Sequence, residues 1–231
     1  YHKEMGNYDY LSDALGSATG IGLIRADEIY SNFKGAGQTV VIIDDGIQSS
    51  HTNFSGRVVY EYDFADNDTN AYNPDGTHGT HVAGTAAGAT TGIASEADII
   101  MLKVFSDGSD GAWVSDQEDA LQWVVKNADN YNIASVNLSL GGGNDKYEYT
   151  DSRSDEFQAL KNLGVFVTAA SGNSYYYYGE QGVGSPSSDP NVFSVGSVWT
   201  DDRGGPFNFV SGATDYSTTK DAIAAMSQRS T

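Results

Sequence analysis

Short runs of aliphatic residues alternate along the chain with stretches in which apolar residues recur at helical spacing. The helical spacing is clearest over Ser115–Ala128 and Asp155–Leu163. The aliphatic runs predict strands at Thr39–Ile43, Ile99–Val104, Ala134–Leu138, Val165–Thr168 and Val192–Val195. This alternation predicts βαβ units, and therefore an α/β protein whose mostly parallel central sheet has helices on both faces.

Two long polar stretches, Gly141–Tyr149 and Tyr175–Pro190, interrupt the alternation. We interpret both as loops, the second of which opens with four consecutive tyrosines. Long loops often bind ligands or act as lids, although the tyrosines could equally pack against their own loop. The first residues are polar and show no period, so we predict a surface extension over 1–19 and one domain over 20–231.

Composition narrows the choice of partners. A formal net charge of −19 would repel nucleic-acid phosphates and anionic lipids, so neither nucleic acid nor a membrane is an expected partner. Cations and neutral or basic polypeptides remain as candidate partners. Cysteine is absent, which excludes disulfides and thiolate chemistry. The N-terminus lacks a signal-peptide layout, and the composition is rich in Gly, Asp, Ser and Asn and poor in Lys, so we expect a mature, secreted protein.

An aspartate stands at the end of the first predicted strand. The apolar run Val40–Ile43 stops abruptly at Asp44, which is followed by Asp45 and Gly46. In open α/β sheets, ligands and chemistry lie at the carboxyl ends of the strands. An aspartate after a strand is also a common turn former or helix cap, so Asp44 alone does not decide between these roles.

A histidine-containing segment favours the chemical role. In His78–Thr85, HGTHVAGT, small residues allow the start of a helix to pack closely beneath the imidazole of His78. A neutral histidine accepts a proton near physiological pH if a carboxylate fixes its tautomer, which Asp44 could do. Two alternatives remain. One is a capping or core histidine; the other is a zinc site with His81, although the glutamate of the helical His-Glu-x-x-His signature is missing.

Together, these motifs resemble the subtilisin-like (subtilase) family of serine proteases. VIIDDGI at Val41–Ile47 and HGTHVAGT at His78–Thr85 carry the resemblance, and the Asp-Asp-Gly variant is similar to the kexin-like branch. Three more matches follow in family order: GIA at Gly92–Ala94 with IMLKV at Ile100–Val104, VNLSLGG at Val136–Gly142, and AASGN at Ala169–Asn173. The resemblance implies a three-layer αβα fold and serine endopeptidase activity.

The family resemblance also implies catalytic roles. Asp44 would orient His78 and stabilise its imidazolium form. His78 would act as general base toward a serine and then as general acid toward the leaving amine. Asn173 would donate a hydrogen bond to the oxyanion of the tetrahedral intermediate, although a loop asparagine that tolerates left-handed backbone geometry is the alternative.

Substrate-binding segments follow from the same resemblance. One segment would pair with an extended substrate, one would form the opposite wall of the primary specificity pocket, and one would be a second substrate-facing strand. Such pairing recognises the substrate backbone more than the substrate side chains, so we expect polypeptide substrates and broad specificity. The residues are Ser139, Leu140 and Gly141; Ala170, Ser171 and Gly172; and Gly111 with Trp113, where Trp113 either floors a hydrophobic subsite or is a core residue.

A loop before His78 is dense in oxygen ligands of the kind that calcium prefers. Its members are Asp63, Asp66, Asp68, Asn70, Asn73 and Asp75. The EF-hand pattern fails, because Ala71 and Thr77 stand where glycine and glutamate are required. We keep a structural Ca²⁺ as an expectation without assigning ligands, and we expect no cofactor to be required for the chemistry.

The expected nucleophile has no counterpart in the sequence. The family order is Asp, His, Ser, and the serine lies in a Gly-Thr-Ser-Met-Ala-like motif that opens a helix packed through the middle of the fold. Ser227–Ser230 resembles the segment upstream of that motif, and the sequence stops at Thr231. We therefore expect a cleaved or incomplete part of a longer protease, with a propeptide and a C-terminal segment as its partners. The alternative is a catalytically inactive peptide-binding homologue, in which the Asn173 amide would have little use.

Overall fold

Strands form the centre of the chain, as the aliphatic runs predict. A computed structural model describes residues 24–26, 32–146, 148–209 and 211–230, and the predicted extension over 1–19 lies outside them. The strands within these residues are β1 (Thr39–Asp44), β2 (Val58–Asp63), β3 (Asp98–Lys103), β4 (Ile133–Leu138), β5 (Gly142–Asp145), β6 (Phe166–Ala170), β7 (Val183–Ser185), β8 (Phe193–Val195), β9 (Phe207–Asn208) and β10 (Thr214–Asp215).

Six of these strands make one sheet in the order β2-β3-β1-β4-β6-β8, and every neighbouring pair is parallel. The carboxyl ends of the strands therefore meet at one edge of the sheet, where the sequence places its candidate chemistry. Two antiparallel pairs, β5 with β7 and β9 with β10, lie outside this sheet. The predicted α/β class with a mostly parallel central sheet is confirmed.

Helices cover both faces of the sheet. They are α1 (His78–Ala87), α2 (Val114–Asn127), α3 (Ser154–Asn162) and the single turn α4 (Tyr175–Tyr178). The two helices predicted from apolar spacing, α2 and α3, are confirmed to within one residue at each end. No helix in the described part of the chain is long and apolar enough to cross a membrane.

Alternation along the strands divides the core between the two faces. Val41 and Ile43 of β1 pack into a cluster with Leu121 of α2 and Phe157 of α3. Ile42, which points to the opposite face, packs into a second cluster beneath α1. Each of these side chains is fully buried, and burying one contributes roughly 1.5–3 kcal/mol of hydrophobic stabilisation. The result is the three-layer αβα arrangement that the family resemblance implies.

Among the described residues, the helix α1 covers only part of the width of its face of the sheet. Val167 and Ala169 of β6 face the α2–α3 cluster, so Phe166 on the same strand points to the α1 face. Phe166 and Phe193 are 56% and 60% exposed there, and their ring centroids lie 5.6 Å apart. Val195 on β8 is also exposed. These three residues, which we call the β6–β8 patch, are apolar side chains open to solvent.

Two expectations about loops were wrong, and one strand of the central sheet was not predicted. The loops expected over Gly141–Tyr149 and Tyr175–Pro190 contain β5, β7 and α4, because β5 and β7 pair with each other and satisfy their backbone groups. Neither segment has the alternating apolar residues that mark a strand, so the sequence did not predict this pairing. The strand β2 was also missed, since as an edge strand it is only partly buried and its sequence, VVYEYD, ends in two tyrosines that alternate with acidic residues.

Candidate active site

Asp44 and His78 meet at the carboxyl edge of the sheet. Asp44 is the last residue of β1 and is 1% exposed, and His78 is the first residue of α1. The His78 Nδ1 atom lies 2.7 Å from Asp44 Oδ1, which is hydrogen-bonding distance. The His78 side chain is 30% exposed, so the ring faces both the carboxylate and the solvent. The structure thus brings these two sequence-predicted residues together.

Asp45 fixes the start of α1 against the end of β1. Its two carboxylate oxygens accept hydrogen bonds from the backbone N–H groups of His78 at 3.3 Å and Gly79 at 2.6 Å. A carboxylate in this position satisfies free N–H groups and interacts favourably with the helix dipole. A Cβ at Gly79 would overlap the carbonyl oxygen of Gly46, so only glycine allows this approach. The sequence did not reveal this capping role, because Asp45 lies far from α1 along the chain.

The Asp44 carboxylate controls the ionisation of His78. Burial alone would lower the pKa of His78, but the hydrogen bond and negative charge of Asp44, with the charge of Asp45, outweigh burial and hold that pKa above its ordinary value. Burial raises the pKa of the Asp44 carboxyl, and the hydrogen bonds with His78 and the Asp45 N–H oppose that rise. Asp44 Oδ2 is buried and accepts no hydrogen bond from the described residues.

Asp44, Asp45 and His78 also form the group of potential metal ligands in the described residues. Their donor atoms are largely engaged, because both Asp45 oxygens accept backbone N–H groups and His78 Nδ1 hydrogen-bonds Asp44 Oδ1. The exposed His81 is not in this group, which gives the zinc alternative no support in this part of the chain. The arrangement fits a proton-sharing pair better than a metal site.

The acidic loop before His78 binds a lysine. Lys103, buried at the end of β3, forms ion pairs with Asp63, with Asp66 at 3.3 Å and with Asp107 at 3.0 Å. These carboxylates hold the pKa of Lys103 above its ordinary value despite burial. Two of the oxygen ligands considered for calcium are therefore already paired with an ammonium group. Calcium stays a prediction without assigned ligands.

The other sequence-predicted residues follow two more strands of the sheet. Ser139–Gly141 comes directly after β4, and Ala170–Gly172 ends or follows β6, with partly buried Asn173 immediately beyond. Since β4 lies between β1 and β6, the strands that carry Asp44 and Ala170 are two strand spacings apart, about 10 Å. All three segments thus start from the same edge of the sheet.

Two of the predicted substrate-binding segments line a cleft of about 510 Å³. Gly111 belongs to one of these segments, and Leu140 and Gly141 belong to the other. Trp113 does not line it and is 76% exposed, so the interpretation of Trp113 as a core residue was wrong.

Polar residues that the sequence did not single out also line this cleft. Arg153 forms an ion pair with Asp151 and hydrogen-bonds Gln117 and Ser185. That hydrogen-bonded group lowers the pKa of Asp151 although burial would raise it. No motif marks these residues, because they come from three separate segments of the chain.

Comparison with known proteins identifies the family. The model of the subtilase family matches residues 35–231. The chain is 35% identical over 186 residues to Subtilisin-like protease 3 of Arthroderma benhamiae, covering 79% of this chain and 44% of that protein. It is 33% identical over 205 residues to Subtilisin-like serine protease Pen ch 13 of Penicillium rubens, covering 86% of this chain and 48% of that protein.

A solved structure, described as a crystal structure of a cold adapted subtilisin-like serine proteinase, matches with a TM-score of 0.61 and 28% identity. The match covers 84% of this chain and 73% of that one. The chain spans about half the length of the two curated relatives. Because the family model covers most of the chain and the fold agrees, the chain belongs to the subtilase family.

Proposed function

We propose that this chain carries the Asp–His part of the active site of a secreted serine endopeptidase. The observation that supports this most strongly is the 2.7 Å contact between His78 Nδ1 and the buried Asp44 Oδ1. A proton held on Nδ1 leaves Nε2 as the acceptor, which is the tautomer that a general base needs. The partial exposure of the ring lets a nucleophile approach it.

The serine nucleophile lies beyond Thr231 in the longer protein. His78 Nε2 takes the serine hydroxyl proton as the serine oxygen attacks the peptide carbonyl, and Asp44 stabilises the resulting imidazolium. The imidazolium then protonates the leaving amine, and a water molecule hydrolyses the acyl-enzyme by the same steps. A carboxylate in a site as buried as that of Asp44 interacts strongly with the positive charge that forms on His78.

Asn173 donates its side-chain amide to the oxyanion of the tetrahedral intermediate. Its position after β6, at the sheet edge where β1 ends, supports this role. One such hydrogen bond stabilises the transition state by about 3 kcal/mol.

Polypeptides are the substrates. An extended chain lies between Gly111 and Ser139–Gly141, whose cleft supports this placement, and Ala170–Gly172 forms the wall of the primary specificity pocket. Backbone pairing of this kind tolerates many side chains, so specificity is broad. The formal charge of −19 argues against nucleic acid or an anionic membrane as a partner.

The serine-bearing segment covers the β6–β8 patch. Exposed Phe166, Phe193 and Val195 form an apolar surface on the α1 face of the sheet, on β6, which leads to Asn173, and on the adjacent strand β8. Burying three such side chains stabilises a docked helix by several kcal/mol, at roughly 1.5–3 kcal/mol each. The greater length of the curated relatives supports a segment of this kind. A propeptide and a structural Ca²⁺ ion complete the proposal.

Hydrolysis of casein by the full-length protein tests this function. We expect a serine-directed phosphonylating reagent to abolish hydrolysis and to label one serine beyond Thr231, identified by peptide mass spectrometry. His78→Ala should lose both activity and labelling while keeping the same unfolding temperature, and His81→Ala, an exposed histidine on the same helix, is the matched control. Undiminished hydrolysis by His78→Ala would refute the mechanism. A folded protein that binds peptides but neither hydrolyses nor labels would establish the inactive homologue instead.

A further inference from the structure

The segment Met226–Arg229 runs across the loop that carries Asn173. The Tyr175 N–H donates to the Met226 carbonyl at 3.1 Å, and the Ser171 hydroxyl donates to the Gln228 carbonyl at 2.8 Å. These contacts join residues more than 45 positions apart in the sequence. The loop between β6 and α4 is therefore held from outside by a second piece of chain.

Gln228 contacts both neighbours of Asn173. Its backbone N–H donates to the Gly172 carbonyl at 2.9 Å, and its side-chain Oε1 accepts the Ser174 N–H at 3.3 Å. The Gln228 side chain is buried, and the whole residue is 3% exposed. Because one residue binds the peptide units on each side of Asn173, the backbone of Asn173 has little freedom to rotate.

The other end of the Gln228 amide is anchored to a strand. Nε2 donates to the Gly143 carbonyl at 3.0 Å and to Asn144 Oδ1 at 2.8 Å, both in β5. The β5 strand follows Gly141 of the proposed substrate-binding segment. Gln228 thus links the Asn173 loop to the strand that continues from the proposed substrate-binding segment.

Gly172 shows how close this approach is. It has a φ of +106°, a conformation that favours glycine, and a Cβ at this position would overlap Gln228 Oε1. The loop and the glutamine side chain therefore fit together only because residue 172 has no side chain.

We propose that Gln228 is a positioning residue for Asn173, holding its amide in the orientation that binds the oxyanion. This inference rests on the proposed function. A hydrogen-bond donor contributes to catalysis only if it is aimed at the oxyanion before the reaction begins, and a displacement of about 1 Å can cost on the order of 100-fold in rate. Gln228 supplies that constraint through four hydrogen bonds, two to the neighbours of Asn173 and two to β5.

A double-mutant cycle in the full-length protease tests the inference. Gln228→Met keeps the length of the side chain but removes its amide, and we expect kcat on a peptide substrate to fall by about tenfold or more, with a smaller change in KM. In an Asn173→Ala background the same substitution should change kcat by less than about twofold, because the amide that it positions is gone. If the role of Gln228 were purely structural, Gln228→Met would lower kcat by the same factor in both backgrounds.

Ser227→Ala is the matched control. Ser227 is buried in the same segment, and its hydroxyl accepts the Ser197 N–H at 2.9 Å and donates to the Gln228 carbonyl at 3.4 Å. The substitution leaves the amide of Gln228 and the hydrogen bonds of that amide in place. Its effect on kcat should be small and the same in both backgrounds. If Gln228→Met does not fold, Gln228→Asn replaces it, since an amide one methylene shorter cannot reach from Ser174 to Gly143.

The outcomes separate the two proposals. Hydrolysis by the wild type together with equal losses from Gln228→Met in both backgrounds would overturn the positioning role alone. A wild type that neither hydrolyses peptides nor reacts with the phosphonylating reagent would overturn the proposed function and this inference with it. Strong coupling, with an effect of Gln228→Met that disappears in Asn173→Ala, would establish the role.

Discussion

At the scale of single residues, the ionisation of His78 decides when the proposed base can work. Only neutral imidazole accepts a proton, so activity is lost as the pH falls through the pKa of His78. Because Asp44 and Asp45 hold this pKa above the ordinary value of 6.5, the acidic limb of the rate profile should have its midpoint above pH 6.5. The measurement is kcat/KM of the full-length protein against pH.

Removing the charge of Asp44 should move that midpoint. We expect Asp44→Asn to shift the acidic limb to lower pH, since the main stabiliser of the imidazolium is lost, and to reduce kcat by about 10⁴-fold. Asp129→Asn, at an exposed position, is the control and should leave both unchanged. If the pH–rate profile of Asp44→Asn kept the wild-type midpoint, Asp44 would not be what raises the pKa of His78.

The contact between Asp44 and His78 could be predicted from sequence, whereas the residues that support it could not. Asp44 follows an aliphatic strand and His78 opens a small-residue helix, and both signals are local. In the sequence, Asp45 is only the residue after Asp44. The fold brings it to the first turn of α1, where it binds the backbone of His78, 33 positions away in the sequence. Gln228, 54 positions from its partner Ser174, gives no local signal because its hydrogen bonds depend entirely on the fold.

At the scale of elements, the junction between β1 and α1 depends on the cap from Asp45. Asp45→Ala leaves two N–H groups at the start of α1 without an acceptor and should lower the free energy of unfolding by about 0.5–2 kcal/mol. It should also reduce kcat, because His78 is the first residue of the helix that loses its anchor. Denaturant unfolding and steady-state kinetics measure the two effects.

Asp45→Asn is the informative comparison. Its amide oxygen can still accept the Gly79 N–H, so it should retain more stability than Asp45→Ala. Equal stability of the wild type and Asp45→Ala would mean that the helix start is held by packing alone.

Elements with aliphatic or helical periodicity were the predictable ones. β1, β3, α2 and α3 bury a continuous face, and burial imposes the pattern that the sequence shows. β5 is GGND and β7 is VGS, so these strands form through mutual backbone pairing and not through apolar side chains. A prediction from the hydrophobic pattern therefore cannot find such a pair of strands.

At the scale of the whole molecule, the order of motifs along the chain becomes a spatial arrangement through the sheet. β1, β4 and β6 are consecutive in the sheet, so the segments after them start from the same edge although about 125 residues separate Asp44 from Ala169. The family resemblance therefore predicts which strand ends carry the candidate residues. It does not predict the polar lining of the cleft, where Arg153, Asp151 and Gln117 combine different segments.

The β6–β8 patch has a consequence for the handling of this polypeptide in solution. β8 is an edge strand of the sheet, and an open edge beside exposed phenylalanines invites association with other chains. Residues 1–231 produced alone should form oligomers whose mass rises with concentration in sedimentation measurements, and Phe193→Lys should shift them toward monomers. Wild-type residues 1–231 that stay monomeric at high concentration would contradict this.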